Sequence, residues 1–100
     1  MTAKITVTID SDLEELIPGF MENRRKDLDA LDNAVEQSDL QALQSIGHNL
    51  KGVGGGYGFD RMSELGAAIE QAGKSGDLDS AREMIRELRD YCTQVEIVFE

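Results

Sequence analysis

The sequence predicts an all-α fold, an antiparallel four-helix bundle in up-down-up-down order. Its 100 residues contain a single proline, Pro18. Apolar residues recur at the three- and four-residue spacing of amphipathic helices in four successive stretches. The connections between these stretches are short, about two to five residues, which favours antiparallel neighbours. We therefore expect one domain over residues 1–100, with a helical core at about 11–95.

The first helical stretch follows a short extended segment. Residues 4–9 alternate apolar and polar side chains, which is typical of a strand. Ser11-Asp12-Leu13-Glu14 is a capping box with Ser11 at the N-cap. Because Pro18 falls inside the apolar stripe, we expect a short extra helix or a kink there. The stripe comprises Leu13, Leu16, Ile17, Phe20, Met21, Leu28, Leu31 and Val35.

Three further helices follow, each with its own start signal. Ser38-Asp39-Leu40-Gln41 is a second capping box, with Ser38 as the N-cap. Asp60 and Asp77 are the expected N-caps of the third and fourth helices. The third helix should end at Gly73 or Gly76. The predicted buried face of the second helix comprises Leu40, Leu43, Ile46, Gly47, Leu50 and Val53. That of the third comprises Met62, Leu65, Ile69 and Ala72, and that of the fourth Leu78, Ala81, Ile85, Leu88, Cys92 and Val95. The β-branched tail, 95–99, could fray, extend, or pair with residues 4–9.

Composition excludes several classes of function. Twenty acidic against ten basic residues give a net charge of −10, which argues against nucleic acid or an anionic membrane as the partner. Cys92 is the only cysteine and His48 the only histidine, so we expect neither an internal disulfide nor a metal site. The N-terminus lacks the apolar region of a signal peptide, and no run approaches the ~20 residues of a membrane span. We expect a soluble, cytoplasmic monomer.

The segment with an unusual composition is Gly-His-Asn-Leu-Lys-Gly-Val-Gly-Gly-Gly-Tyr-Gly, residues 47–58. At 100° per residue, His48 projects almost opposite the core, and Lys51, Gly52 and Gly55 share its side of the helix. A neutral imidazole is a competent nucleophile toward phosphorus, and an ammonium nearby can neutralise phosphoryl charge. A nucleotide-binding glycine loop is a poor alternative, since no Gly-Lys-Ser/Thr follows and no strand precedes.

Because of these glycines, the sequence does not decide where the second helix ends. Each interior glycine loses about 0.8–1.0 kcal/mol of helix stability against alanine, so the five between 47 and 56 forfeit roughly 4–5 kcal/mol. Either the helix stops near Val53, or packing and function require small residues and the helix continues. Periodicity alone slightly favours the first.

The run His48-x-Leu50-Lys51-Gly52, with Gly58 ten residues after the histidine, resembles the signature of histidine-containing phosphotransfer (HPt) domains. Leu65-x-x-x-Ile69-Glu70 resembles the stretch that follows in that family, and the resemblance covers about residues 11–95. It implies a four-helix bundle with the phospho-accepting histidine at His48. Lys51 and Gly52 match the residues that accompany this histidine. Gly58 matches the glycine that ends the helix, which favours a helix running to about Tyr57.

The resemblance also implies what the protein does. His48 would accept a phosphoryl group from a receiver-domain aspartate and pass it to another receiver. The implied partners are response-regulator receiver domains and a hybrid sensor histidine kinase, with no cofactor and no ATP-binding or kinase machinery in the chain itself. The alternative is an HPt-like helical interaction module that is not phosphorylated. The triple glycine Gly54–Gly56 is richer than is usual in the family, and residues 1–10 and 96–100 have no assigned counterpart.

Several residues around the histidine are candidates for contact with a partner. Gln44 and Ser45 lie one turn before His48, while Gly52 and Gly55 leave access on the other side. Antiparallel pairing about residues 37–38 brings 24–27 level with His48. The run Arg24-Arg25-Lys26 is therefore either a solvated helix face or a positive spot that holds an acidic receiver.

Overall fold

Four helices form the body of the protein, as the sequence predicts. The computed structural model describes residues 5–100. The helices are α1 (Ile17–Glu36), α2 (Leu40–Tyr57), α3 (Asp60–Ser75) and α4 (Leu78–Gln94). A 3-10 helix (Ser11–Leu16) precedes α1, and two strands, β1 (Ile5–Ile9) and β2 (Val95–Phe99), lie at the ends of the described chain.

Contacts between helices establish the antiparallel order. The start of α2 lies beside the end of α3, where Gln44 Nε2 donates to the carbonyl of Gly73. Arg61, near the start of α3, reaches Glu87 in the second half of α4, with 3.3 Å between Nη2 and Oε1. Met21 near the start of α1 and Thr93 near the end of α4 line the same groove. Each helix therefore runs opposite to the neighbours that it contacts.

The entry into α1 contains the extra helix that the sequence predicts, but with a different cap. Asp10, and not Ser11, is the N-cap, and its carboxylate accepts from the backbone N–H of Asp12 at 2.9 Å. The extended backbone at Asp10 places its side chain over that N–H. Pro18 lies in the first turn of α1, where its missing N–H leaves no intrahelical hydrogen bond unmade.

The cap of α2 also differs from the prediction, and here it lies one residue later. Asp39 is the N-cap, and its carboxylate accepts from Ala42 N at 3.0 Å. Ser38 instead adopts a φ of 53°, in the turn between α1 and α2. The tight turn thus moves the capping position to the neighbouring aspartate.

The predicted N-cap of the fourth helix is confirmed, whereas that of the third helix is wrong. Asp77 caps α4 by accepting from Ser80 N at 3.0 Å, as expected. Asp60 is the first residue of α3 and not its cap, because Phe59 occupies the N-cap and is itself fully buried. The chain leaves α2 at Gly58 and α3 at Gly76, whose φ values of 92° and 73° lie in the left-handed region that favours glycine. Gly58 therefore ends α2 as the resemblance implied.

The core is apolar and contains the whole predicted face of α3, but only the middle of the predicted face of α4, because Leu78 and Val95 are half-buried. Tyr91 is buried and Cys92 half-buried, whereas the sequence pointed to Cys92. In α2 the buried line passes through Gly47 and Gly54, and Leu40, Ile46 and Val53 are only half-buried. The largest fully buried side chains are Ile9, Leu31, Leu43, Leu50, Phe59, Met62, Leu65, Ile69 and Leu88.

Glycine brings the backbones of α2 and α3 into contact. A Cβ at Gly47 would lie 2.5 Å from the backbone nitrogen of Glu70 and 2.7 Å from the carbonyl oxygen of Gly66. A Cβ at Gly66 would lie 2.6 Å from Lys51 N, and one at Gly54 2.8 Å from Ser63 N. Packing thus explains why α2 continues through its glycines to Tyr57. Of the two alternatives for the end of this helix, the early end near Val53 is excluded, and the helix to Tyr57 that the resemblance favours is observed.

The ends of the described chain form a small parallel sheet, which adds a β element to the all-α prediction. β1 pairs with β2 from Ile5↔Val95 to Ile9↔Phe99. Of the three possibilities for the tail, pairing with the N-terminal segment is the one observed. Position 4 of the predicted extended segment lies outside the described residues. The sheet is attached to the bundle through Ile9, which is fully buried.

No helix within residues 5–100 combines the length and the apolar character needed to cross a membrane.

Gly47→Ala should destabilise the domain by about 1–3 kcal/mol, because the new methyl group would overlap backbone atoms of α3 that cannot rotate away. Gly56→Ala is the matched control, since a Cβ there meets nothing within 4 Å and should stabilise α2 by up to about 1 kcal/mol. Urea unfolding followed by circular dichroism measures both. Equal stability of the two variants would contradict the close contact.

Candidate functional site

His48 lies on the surface of α2, more than two turns from either end. Its neighbours Gly47 and Leu50 face the core, so the imidazole projects outward and its side chain is 73% exposed. This is the orientation that the sequence predicts. The ring is therefore accessible to a partner molecule without any rearrangement of the bundle.

Glu70 on α3 holds one of the two ring nitrogens. The distance from His48 Nδ1 to Glu70 Oε2 is 3.1 Å. An ionised carboxylate only accepts hydrogen bonds, so Nδ1 carries the proton in this pair. In the neutral ring, Nε2 then holds the lone pair and is the nucleophilic nitrogen.

The Glu70 carboxylate is partly buried and also lies beside a lysine of its own helix. Its side chain is 15% exposed, and Lys74 Nζ lies 3.7 Å from the same Oε2 that meets His48. Because Lys74 is one turn further along α3, it offsets the charge of the partly buried carboxylate without occupying the solvent side of the imidazole.

The family resemblance includes Glu70 in the stretch that follows the histidine, but it gives this residue no role. A signal was present in the glycines: Gly47 and Gly54 on α2, and Gly66 and Gly73 on α3, are each seven residues apart. Such spacing places small residues on one face of each helix, and the close contact between these faces brings Glu70 beside His48.

Lys51 and Gly52 occupy the C-terminal side of the histidine. Lys51 is exposed, and within the described part of the chain its ammonium forms no ion pair. A Cβ at Gly52 would meet nothing within 4 Å, and one at Gly55 only Ser63 Oγ at 3.6 Å. Ser63 Oγ donates to the carbonyl of Lys51 at 2.7 Å and ties this turn of α2 to α3. The surface beside His48 is therefore open, contains the positive charge of Lys51, and is fixed to α3 by a hydrogen bond.

The two predicted contact residues one turn before His48 differ in their exposure. Ser45 is exposed and available to a partner. Gln44 is half-buried against α3, where its Nε2 lies 3.5 Å from the Gly73 carbonyl oxygen, so much of this side chain is used in packing.

The structure separates the two arginines that the sequence predicts as electrostatic contacts, since Arg24 is buried and Arg25 is exposed. Arg24 is 7% exposed; its guanidinium stacks over the Phe20 ring at 4.6 Å and pairs with Asp27 at 2.9 Å. Its assignment as an electrostatic contact is wrong, because the cation–π and ion-pair contacts draw it into the bundle. Arg25 is exposed and pairs with Glu22, and it borders a groove between α1 and α4 instead of the α2–α3 surface.

The family model of the Hpt domain matches residues 15–97. The chain belongs to the Hpt domain family. HPt domains are phosphotransfer modules of two-component phosphorelays that interact with receiver domains and kinases and have no kinase activity of their own. No curated protein and no solved structure matches the chain significantly.

Other reactive groups of the HPt domain lie away from His48. Burial raises the pKa of the Cys92 thiol to about 11 and that of Tyr91 to about 12. Both groups stay protonated at neutral pH, and a protonated thiol is a poor nucleophile. Within residues 5–100, no three His, Cys, Asp or Glu side chains are grouped to hold a metal ion.

Glu70→Ala should shift the neutral His48 ring away from the tautomer with the proton on Nδ1, because the carboxylate that selects it is removed. Nitrogen NMR of the imidazole at pH 9 distinguishes the two tautomers. Glu64→Ala is the control, since Glu64 is an exposed residue of α3 that pairs with Arg61. An unchanged tautomer ratio in Glu70→Ala would show that Glu70 does not orient the ring.

Proposed function

We propose that His48 Nε2 is the phosphoryl acceptor of this HPt domain in a phosphorelay. Nε2 attacks the phosphorus of an aspartyl phosphate on a receiver domain; the Nε2–P bond forms as the P–O bond to the aspartyl carboxylate breaks. The aspartate leaves as a carboxylate, and Nδ1 keeps its proton, so the phosphorylated ring is an imidazolium. The reverse attack, by the aspartate of a second receiver, releases the phosphoryl group and restores neutral His48.

The observation that supports this proposal is the pairing of an exposed imidazole with a partly buried carboxylate. Glu70 fixes the proton on Nδ1 before the reaction and stabilises the positive charge that develops on the ring during it. The same carboxylate does not block Nε2, because it approaches from the α3 side. No such arrangement is needed for an interaction module that is never phosphorylated.

Lys51 and the glycines contribute to the approach of the receiver. Lys51, one turn after His48, places a positive charge where the phosphoryl oxygens must lie. Gly52 and Gly55 leave the helix surface bare at this side, so the loops around a receiver's aspartate can reach the imidazole. We propose a hybrid sensor histidine kinase as the source of the donor receiver, and a response regulator as the acceptor.

His48→Gln should abolish phosphate acceptance and leave the unfolding temperature unchanged, because the side chain is exposed and contributes little packing. Incubation with a phosphorylated receiver, followed by detection of acid-labile, base-stable phosphate on the protein, measures acceptance. Asn49→Gln, at the neighbouring exposed position, is the control. If the native protein itself acquires no such phosphate from any receiver of its organism, the interaction module is the correct function.

Lys51→Ala should slow transfer by about tenfold, or ~1.4 kcal/mol in the barrier, without unfolding the domain. The effect is moderate because the ammonium is exposed and its field is screened by water. Single-turnover transfer from one receiver measures it, with Lys26→Ala, an exposed lysine of α1, as the control. Equal rates in both variants would exclude a role for Lys51.

Gly52→Ala should raise the unfolding temperature and slow phosphotransfer, and Gly52→Gln should slow it further. The methyl group meets no atom of the domain and gains up to about 1 kcal/mol of helix stability, but it occupies space beside His48 that a receiver needs. Gly55→Ala should also raise the unfolding temperature and slow phosphotransfer, with smaller effects. Gly19→Ala in α1 also meets nothing within 4 Å and serves as the control, with unchanged transfer expected.

A loss of stability in Gly52→Ala would show that the surface is not open in solution. Unchanged transfer in Gly52→Gln would show that the receiver does not dock on this face.

A further inference from the structure

The small sheet presents an unprotected edge. The sheet contains two strands only, so the outer edge of β1 has no strand partner within the described chain. Natural proteins usually protect such an edge with lysine, proline, a bulge or a covering loop. Residues 5–9, Ile-Thr-Val-Thr-Ile, contain no charge and no proline, and every side chain is β-branched. This composition favours pairing with another strand.

The hydrogen bonds at the end of the sheet show which backbone groups point outward. Glu100 N donates to Ile9 O at 3.2 Å, and Ser11 N donates to Glu100 O at 2.9 Å. Since successive residues of a strand alternate between its two edges, the N–H and C=O groups of Ile9 and Val7 face β2. Those of Thr6 and Thr8 therefore face the open edge, and both threonine side chains are exposed.

The sequence of β1 is a palindrome centred on Val7. In an antiparallel pairing of two copies about this residue, Thr6 of each copy faces Thr8 of the other. Each of these pairs exchanges two N–H···O bonds through the outward groups of the edge. Val7 then faces its counterpart across a two-fold axis, and Ile5 faces Ile9. This is the self-complementarity that a symmetric dimer requires, with threonine pairs on the exposed face.

Charge also favours β1 over β2 as the contact between copies. Two copies with a net charge of −10 each repel one another, and an uncharged strand is where they can meet with the least repulsion. The other strand contains Glu96 and is followed by Glu100, so its self-pairing gathers carboxylates.

We propose that β1 pairs antiparallel with β1 of a second copy of this chain, which joins the two sheets into one of order β2-β1-β1-β2. A five-residue strand buries much less surface than the ~1,600 Å² of a standard interface, so the dimer is weak. We expect a dissociation constant of ~0.1–1 mM, with the monomer expected from the sequence predominating at low concentration.

Sedimentation equilibrium of the full chain from ~20 μM to ~1 mM tests the proposal around the expected dissociation constant. The double variant Thr6→Lys/Thr8→Lys places like charges opposite each other and should weaken association at least tenfold. Thr6→Lys/Thr8→Glu places opposite charges in the same positions and should restore it. Glu96→Lys changes the net charge by the same +2 as the double lysine variant, but on β2, and should leave dimerisation intact. Circular dichroism verifies the fold of each variant.

Amide hydrogen exchange tests the register independently. The N–H groups of Thr6 and Thr8 should exchange more slowly as the concentration rises, whereas Ile97, whose N–H faces the outer edge of β2, should not change. A monomer up to ~1 mM would overturn the proposal. Association that is unaffected by Thr6→Lys/Thr8→Lys, or accompanied by protection at Ile97, would equally overturn it.

Discussion

The contact between the backbones of α2 and α3 is the constraint on which the functional surface depends. Gly47 and Gly66 allow the two helices to approach until main-chain atoms touch, a separation that any side chain at these positions would prevent. At this separation the short Glu70 side chain reaches His48 directly. A wider spacing, filled by larger side chains, would leave the imidazole without its carboxylate and free to adopt either tautomer.

The glycines of α2 consequently serve two separate purposes. Gly47 and Gly54 face α3 and permit the close contact, whereas Gly52 and Gly55 face solvent and leave the histidine accessible. Helix propensity opposes all of them by about 0.8–1.0 kcal/mol each. On the α3 side, burial offsets this loss of helix stability. On the exposed side, nothing offsets the loss, and the glycines keep the surface beside His48 bare. One helix thus combines a tightly packed face with an open one around the same residue, His48.

Much of the fold follows from the sequence alone, because the apolar spacing is strongly helical and Asp77 and Gly76 mark boundaries by local chemistry. Gly58 is identified as a helix end only through the family resemblance. The wrong boundaries arise where neighbours compete. Ser38 and Ser11 each stand beside an aspartate that caps instead, and the buried ring of Phe59 takes the position expected for Asp60. These choices depend on backbone angles in tight turns, which a capping pattern does not contain.

The orientation of His48 and its neighbours Lys51 and Gly52 could be predicted from helical geometry. Glu70 could not be assigned, because its contact depends on the separation of two helices and not on spacing within one. Arg24 shows the reverse limitation: a basic run is usually exposed, yet the Phe20 ring and Asp27 draw this arginine inward. The parallel sheet joins segments about ninety residues apart, and the sequence offered it as one of three possibilities.

The nitrogen that carries the phosphoryl group is the most direct measure of whether the α2–α3 contact controls the reactivity of His48. Phosphorus–nitrogen and proton–nitrogen correlation NMR of the domain, phosphorylated by a receiver, distinguish phosphate on Nε2 from phosphate on Nδ1. We predict Nε2, because Glu70 holds the proton on Nδ1. Phosphate on Nδ1 would contradict the arrangement, since that nitrogen could react only after the contact with Glu70 had been broken.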